Sequence, residues 1–250
     1  ENGSSLTLSA NALYSGISRA LFATADDALR PVMNGVFFDI SENDLTVVAS
    51  DGHKLACDKT NGVQASAPGT FILPKKPATL ARNILAKEQG DVVVRFSERN
   101  ALMQSEGFMM NCRLIEGRYP NYNSVIPQDN PNNVTVNRQA FMSALRRVLI
   151  FSNASSALIK IHLEMSKMVI SSQDIDFSMS AEEVLLCDYS GVPMSIGFKG
   201  TYLMELLNNL EGDEIVIKLA DASRAGVIVP AEQKEDGYVL MLLMPMMLNE

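Results

Sequence analysis

Asp51 and His53 stand two residues apart in the stretch SDGHKLA (50–56), and they are the pair best suited to chemistry in this 250-residue chain. A carboxylate can orient an imidazole as a general base, or the two can share a metal ion that activates water for phosphodiester hydrolysis. Either mechanism needs a nucleophile or a second carboxylate cluster as well, and neither lies nearby in the sequence. The only other histidine, His162, has no metal-ligand partner at helical or hairpin spacing. No HExxH, GxSxG, Walker A or GxGxxG pattern occurs. A structural reading fits better: Asp51-Gly52 follows the alternating run DLTVVAS, so it reads as a turn with His53 and Lys54 leading out. The chain is therefore expected not to be an enzyme and to need no cofactor or metal. A metal-dependent phosphodiester hydrolase using Asp51 and His53 is the rival reading.

The elements that hold this turn come in two sets. LTLSANALYSGISRAL (6–21) and VTVNRQAFMSALRRVL (134–149) each read as a strand, an N-cap (Ser9, Asn137) and a helix. FILPKKPATLARNIL (71–85) is answered by IGFKGTYLMELLNNL (196–210), and DVVVRF (91–96) by EIVIKL (214–219), at offsets of about 123–128 residues. Between them GVFFDI, DLTVVAS, HLEMSKMVISS and FSMSAEEVLLC alternate as meander strands. This predicts an α+β chain of two tandem copies, each with two helices packed on antiparallel sheet. The expected domains are 1–128 and 129–250, with the boundary in the turn-rich IPQDNPNN (126–133).

Composition narrows the partners. With 47% hydrophobic residues the chain can build a core, and its net charge of −8 argues against a generic nucleic-acid coat. Three dispersed cysteines without a CxxC pair point to a reducing compartment, hence the cytoplasm. The opening ENGSS reads as a linker remnant. The tail YVLMLLMPMMLNE (238–250) is too short for a bilayer, which needs about 20 apolar residues as a helix. It is either a last buried strand or apolar surface kept for a partner.

Charge is unevenly placed. The helical stretches 9–24, 75–88, 138–152 and 199–211 hold nine basic residues, including Arg19, Lys75, Lys76, Arg82, Arg146, Arg147 and Lys199, against three acidic ones. That leaves twelve of the 21 basic and twenty-six of the 29 acidic residues for the rest of the chain. Helices facing one way would make a weakly basic lining that attracts phosphates without reading bases.

RPVMNGVFF (30–38), SDGHKLA (50–56), EGRYPNYNSVIP (116–127) and MPM (244–246), in this order and at these distances, resemble the bacterial sliding clamps, the beta subunits of DNA polymerase III. The resemblance covers essentially the whole chain. Family members have three such units and dimerise into a six-unit ring around duplex DNA; this chain matches the second and third. The resemblance implies a processivity factor: a ring that encircles DNA non-specifically and tethers the polymerase III alpha subunit, the clamp loader and other proteins bearing a clamp-binding motif. The family's ring closure joins the first unit of one subunit to the third of the other. The full-length protein is thus expected to be a homodimer and this chain alone mostly a monomer.

Family partners dock an extended, usually glutamine-led peptide that ends in aliphatic and aromatic residues. Matching groove positions are Met33, Ser50, Gly52, His53, Lys54 and Leu55, then Pro120, Ser124 and Val125, then Leu242, Met244, Pro245, Met246, Met247 and Leu248. Methionine is unbranched and polarizable, which suits a wall that repacks around different guests. Met247 and Ser124 replace residues that are commonly basic in relatives, and Ser50 replaces threonine, so the groove is expected to be less cationic than usual. Asn249 and Glu250 extend slightly past the usual end. On the DNA side Arg30 matches, whereas Pro31 and Val32 stand where some relatives carry tyrosines. A peptide-binding module with no DNA role is a further alternative.

Overall fold

A computed structural model describes residues 3–248 of the chain. Asn249 and Glu250, and with them the overhang at the tail, lie outside the described residues. The chain divides into two compact units, 1–122 with Lys234–Val239, and 123–233 with Leu240–Glu250.

In the first unit β1 (Ser4–Ser9) runs into α1 (Ala10–Leu21), followed by β2 (Gly35–Ile40), β3 (Asp44–Ser50), β4 (Lys54–Asn61) and the short β5 (Gln64–Ala65). Next come β6 (Gly69–Pro74), α2 (Lys75–Leu85), β7 (Asp91–Phe96), β8 (Asn100–Gln104) and β9 (Met109–Arg113). The second unit repeats the order with β10 (Asn132–Asn137), α3 (Arg138–Leu149), β11 (Leu158–Glu164), β12 (Lys167–Asp174) and β13 (Met179–Leu186). It continues with β14 (Met194–Lys199), α4 (Gly200–Asn208), β15 (Glu214–Leu219), β16 (Gly226–Pro230) and β17 (Gly237–Leu243). All strand pairs within the units are antiparallel.

The expected helix starts hold. Ser9 Oγ accepts from the Ala12 N–H at 3.1 Å and Asn137 Oδ1 from the Ala140 N–H at 2.8 Å, each satisfying an orphan amide of the first turn. The opening serines are corrected: Ser4 and Ser5 are not linker but strand, in register with Phe96 and Arg95 of β7. Each sheet has a clear inward face. Leu6 and Leu8 of β1, Val47 of β3 and Val92 and Val94 of β7 are buried, as are their counterparts Val134, Val136, Ile170, Ile215 and Ile217. The helices present matching stripes, Leu13, Ile17 and Ala20 on α1 and Phe141, Leu145 and Val148 on α3. Gly16 lets α1 approach β3, since a Cβ there would lie 3.1 Å from the Val47 side chain. Cys57, Cys112 and Cys187 are free thiols, and burial pushes Cys57 up to about 12. Among the described residues no helix is long and apolar enough to cross a membrane.

One buried charge organises the first unit. Asp58 on β4 is 1% exposed, and its two oxygens take Arg19 of α1 at 2.7 Å and Lys234 at 2.7 Å. Lys234 also donates to Thr60 at 3.0 Å. A carboxylate this deep is tolerable only while both cations remain, so removing it leaves two cations facing an apolar wall. Asp58→Ala is expected to destabilise the chain by about 3 kcal/mol, at the lower end for a broken buried pair because the cations keep some solvent. Urea unfolding checks this; a midpoint shift equivalent to under about 0.5 kcal/mol, the range of ordinary surface substitutions, would contradict it.

Candidate functional site

The turn between β3 and β4 is built by its own side chains. Asp51 Oδ1 accepts the His53 and Lys54 N–H groups at 2.8 and 2.9 Å, and Lys54 Nζ lies 3.4 Å from Asp51 Oδ2. Ser50 Oγ accepts from the Gly52 N–H at 3.2 Å and donates to the Lys54 carbonyl at 3.0 Å. Gly52 holds φ +90, where an L side chain is strained. Asp51 is thus occupied in shaping a turn, and His53 is left at the surface. Among the described residues no group of three or more potential metal ligands assembles.

A second histidine array escaped the sequence reading. His162 Nδ1 lies 2.7 Å from Ser195 Oγ, and its Nε2 lies 3.2 Å from Glu164. The signal was cross-strand: His162 on β11 is directly opposite Ser195 on β14. Both residues sit within paired strands. The array reads as a surface hydrogen-bond network.

Around the turn, Met33, Lys54 and Leu55 are buried while Ser50 is half-buried and Gly52 and His53 are exposed. Pro120 is exposed on a segment anchored from both sides: Tyr119 stacks on Phe37 at 4.5 Å, and the Tyr122 hydroxyl donates to Asp39 at 2.7 Å. Burial pushes the Tyr119 phenol up to about 12. In the second unit Ser124 and Val125 are exposed. The tail answers its own question in two halves. Met241, Leu242 and Leu243 are core residues of β17, whereas Met244 is 42% and Met247 82% exposed. Pro245, with no N–H to offer, falls just past the end of the strand, and the Met246 N–H then donates to the Gly197 carbonyl at 2.7 Å. Only Gly197 permits this approach, because a Cβ there would sit 2.7 Å from the Met246 oxygen. Leu248 borders a cleft of about 690 Å³ shared with Leu158 and Ser195.

Leu242, Leu55, Lys54 and Met33 therefore depart from the expectation of contact residues: each buries its side chain and shapes the surface from behind. Arg30, expected to face DNA, is half-exposed; its Nε binds Asp27 at 2.8 Å and its guanidinium lies over the turn, with Nη1 3.3 Å from a Cβ built on Gly52. The Arg30 side chain also holds Asp27 below the usual carboxylate range.

The basic helices are less uniform than their sequences. Arg19 is corrected outright, since its guanidinium serves Asp58. Lys75 pairs with Asp26 at 3.2 Å, Arg147 forms a forked pair with Glu183 of β13, and Lys199 lies 4.7 Å over the Tyr202 ring. The exposed residues of α4 are Thr201, Glu205 and Asn208, none of them basic. Of the helix cations expected to face DNA, Lys76, Arg82 and Arg146 make no ion pair among the described residues, and on the same stretches neither do Lys87 and Arg138. The free positive charge is thus carried by α2 and α3, not by all four helices.

Comparison with known proteins fits both units. Residues 7–121 match the model for the central domain of the DNA polymerase III beta subunit, and residues 123–247 match its C-terminal domain. The chain is 28% identical over 226 residues to the beta sliding clamp of Pseudomonas putida, covering 90% of this chain and 61% of that protein. It thus spans about three-fifths of the length of that relative. A sliding clamp of Bartonella birtlesii, solved bound to griselimycin, superposes with a TM-score of 0.90 at 30% identity, covering 99% of this chain and 67% of that one. A Pseudomonas aeruginosa clamp gives 0.94 at 25%, covering 99% and 68%. Two consecutive family domains in the right order, on a fold that superposes throughout, leave one conclusion: the chain belongs to the DNA polymerase III beta subunit family, the beta sliding clamps.

Proposed function

We propose that this chain is the central and C-terminal part of a replication processivity factor. The subunit it belongs to encircles duplex DNA as a homodimeric ring in the cytoplasm and ties the polymerase to its template. The observation that carries this is the unbroken match of both units to consecutive clamp domains. Encirclement replaces affinity, so the protein needs only a few free cations among many acids. That agrees with a net charge of −8 and with helix cations such as Lys76, Arg82 and Arg146 that make no ion pair among the described residues.

In this reading the Ser50–Leu55 turn, Pro120, Ser124, Val125 and the tail from Met244 to Leu248 receive the clamp-binding peptides of the polymerase alpha subunit, the clamp loader and other partners. The exposed methionines support it: Met244 and Met247 offer adaptable apolar surface. Arg30, lying over Gly52, offers this turn a cation for an acidic residue of the peptide. Two or three buried anchors at about 1.5–3 kcal/mol each, less the cost of ordering, give micromolar affinity for an isolated peptide.

Replacing Met244 and Met246 together by alanine is expected to weaken a glutamine-led, aliphatic–aromatic peptide at least about tenfold by calorimetry, the loss of roughly one such anchor; unchanged affinity removes the peptide assignment. Arg30→Ala is expected to lower affinity for a peptide carrying an acidic residue and to leave DNA binding untouched. On the intact three-unit protein, Lys76→Ala with Arg146→Ala is expected to weaken duplex binding and flatten its salt dependence by about one unit per lost phosphate contact. An unaltered salt slope would favour a peptide-binding module with no DNA role.

A further inference from the structure

Asparagine followed by glycine is the dipeptide best suited to convert without an enzyme, because glycine has no side chain to hinder attack of its amide nitrogen on the asparagine carboxamide. The pair occurs at 2–3, 34–35 and 61–62, and Asn2 lies outside the described residues. The fold treats the other two differently. Asn34 is locked: its Oδ1 accepts the Asp27 N–H at 2.8 Å and its Nδ2 donates to the Asp27 carbonyl at 3.0 Å. Gly35 beside it is buried and opens β2 opposite Pro74. Asn61 ends β4 and is exposed, as is Gly62, which turns the chain at φ +76 with open space where a side chain would stand. The Asn61 side chain takes part in no hydrogen bond among the described residues, so its carboxamide is free to rotate.

We propose that Asn61–Gly62 is a site of spontaneous deamidation, through which the chain gains a carboxylate at the end of β4 and loosens the segment packed against it. The Gly62 nitrogen, giving its proton to water or hydroxide, attacks Asn61 Cγ. The N–Cγ bond forms, the Cγ–Nδ2 bond breaks and ammonia leaves, closing a succinimide ring. Water then opens the ring at either carbonyl, yielding aspartate or isoaspartate. The Gly62 N–H must first leave the Asn43 carbonyl, 2.8 Å away. The fold receives either product poorly. Asp44 is the cross-strand partner of Asn61 and pairs with Lys59 at 3.4 Å, so a new carboxylate meets a like charge and competes for its cation. Isoaspartate also adds a methylene to the backbone where the Gly62 and Val63 N–H groups both bond to Asn43. The Asn61 N–H donates to the Asp236 carbonyl at 2.6 Å, and a Cβ on Gly237 would collide with the Lys59 oxygen, so Lys234–Val239 packs directly on this stretch. That segment also carries Lys234, a charge partner of the buried Asp58. Conversion at Asn61 therefore weakens both the cover of β4 and this ion pair.

The 250-residue chain is incubated at mildly alkaline pH and mapped by peptide mass spectrometry. Aspartate and isoaspartate are expected to accumulate at Asn61 at least about tenfold faster than at Asn34, where two side-chain hydrogen bonds must first be released. In urea, where no fold distinguishes the sites, both are expected to convert at similar rates. Trypsin is expected to cut after Lys234 faster in the aged chain than in the fresh one, and Asn61→Asp to reproduce part of that gain. Asn61→Gln, whose longer side chain closes a ring far more slowly, is expected to keep the resistance of the fresh chain through the same incubation. Asn61→Ser takes its place should the glutamine variant unfold at a lower urea midpoint. Equal rates at Asn34 and Asn61 in the folded chain, an Asn61 that stays unmodified, an aged chain as resistant as the fresh one, or a glutamine or serine variant that loses resistance as fast as the wild type each overturns the proposal.

Discussion

Both units rest on one kind of burial, an apolar helix stripe laid on the inward residues of an antiparallel sheet. Leu13, Ile17 and Ala20 do this on α1, and Phe141, Leu145 and Val148 on α3. A strand that alternates in burial can cover only one face this way, and a helix only one stripe. Every other feature is fitted around that constraint. Glycine stands where the helix or tail comes close, and asparagine or serine where the strand hands over to the helix. The buried charge of Asp58 is paired, although Ser18 Oγ and Asn130 Oδ1 are buried without a hydrogen-bond partner.

Pairing explains why formal charge is a poor guide to function here. Arg19, Lys75, Arg147 and Lys199 look alike in the sequence as basic residues on helices. In the fold each is committed differently, to a buried carboxylate, an exposed one, a neighbouring strand and an aromatic ring. An exposed pair with solvent around it is worth little and can be broken by a phosphate. Arg19 cannot be spared in that way, because Asp58 would be left buried without its charge partner. The residues most readily available to a polyanion are exposed helix cations without an acid beside them, such as Lys76, Arg82 and Arg146.

The tail shows the same economy. Three consecutive apolar residues in β17 end in the core, and one proline then breaks the ladder so that the next side chains point elsewhere. Methionine is tolerable on both sides of that break, buried at Met241 and exposed at Met247, because its flexible thioether fills an irregular interior and adapts at a surface. The turn at Asp51 is the matching case on the first unit, where a carboxylate that looked catalytic is spent on two backbone amides.

The repeat, the strand and helix order, the caps at Ser9 and Asn137 and the turn at Gly52 were all legible in the sequence, because each depends on residues within a few positions of one another. The family likeness was legible for the same reason, in short runs such as SDGHKLA and RYPNYNSV. What the sequence could not show is which charges meet. Asp58 finds Arg19 across 39 residues and Lys234 across 176, and Arg30 leans on a turn 21 residues away. The difference between Asn34 and Asn61 was equally invisible, since both precede glycine and only the fold locks one of them. Local periodicity fixes what each segment becomes, whereas Coulomb attraction and backbone pairing act between segments that only the folded chain brings together.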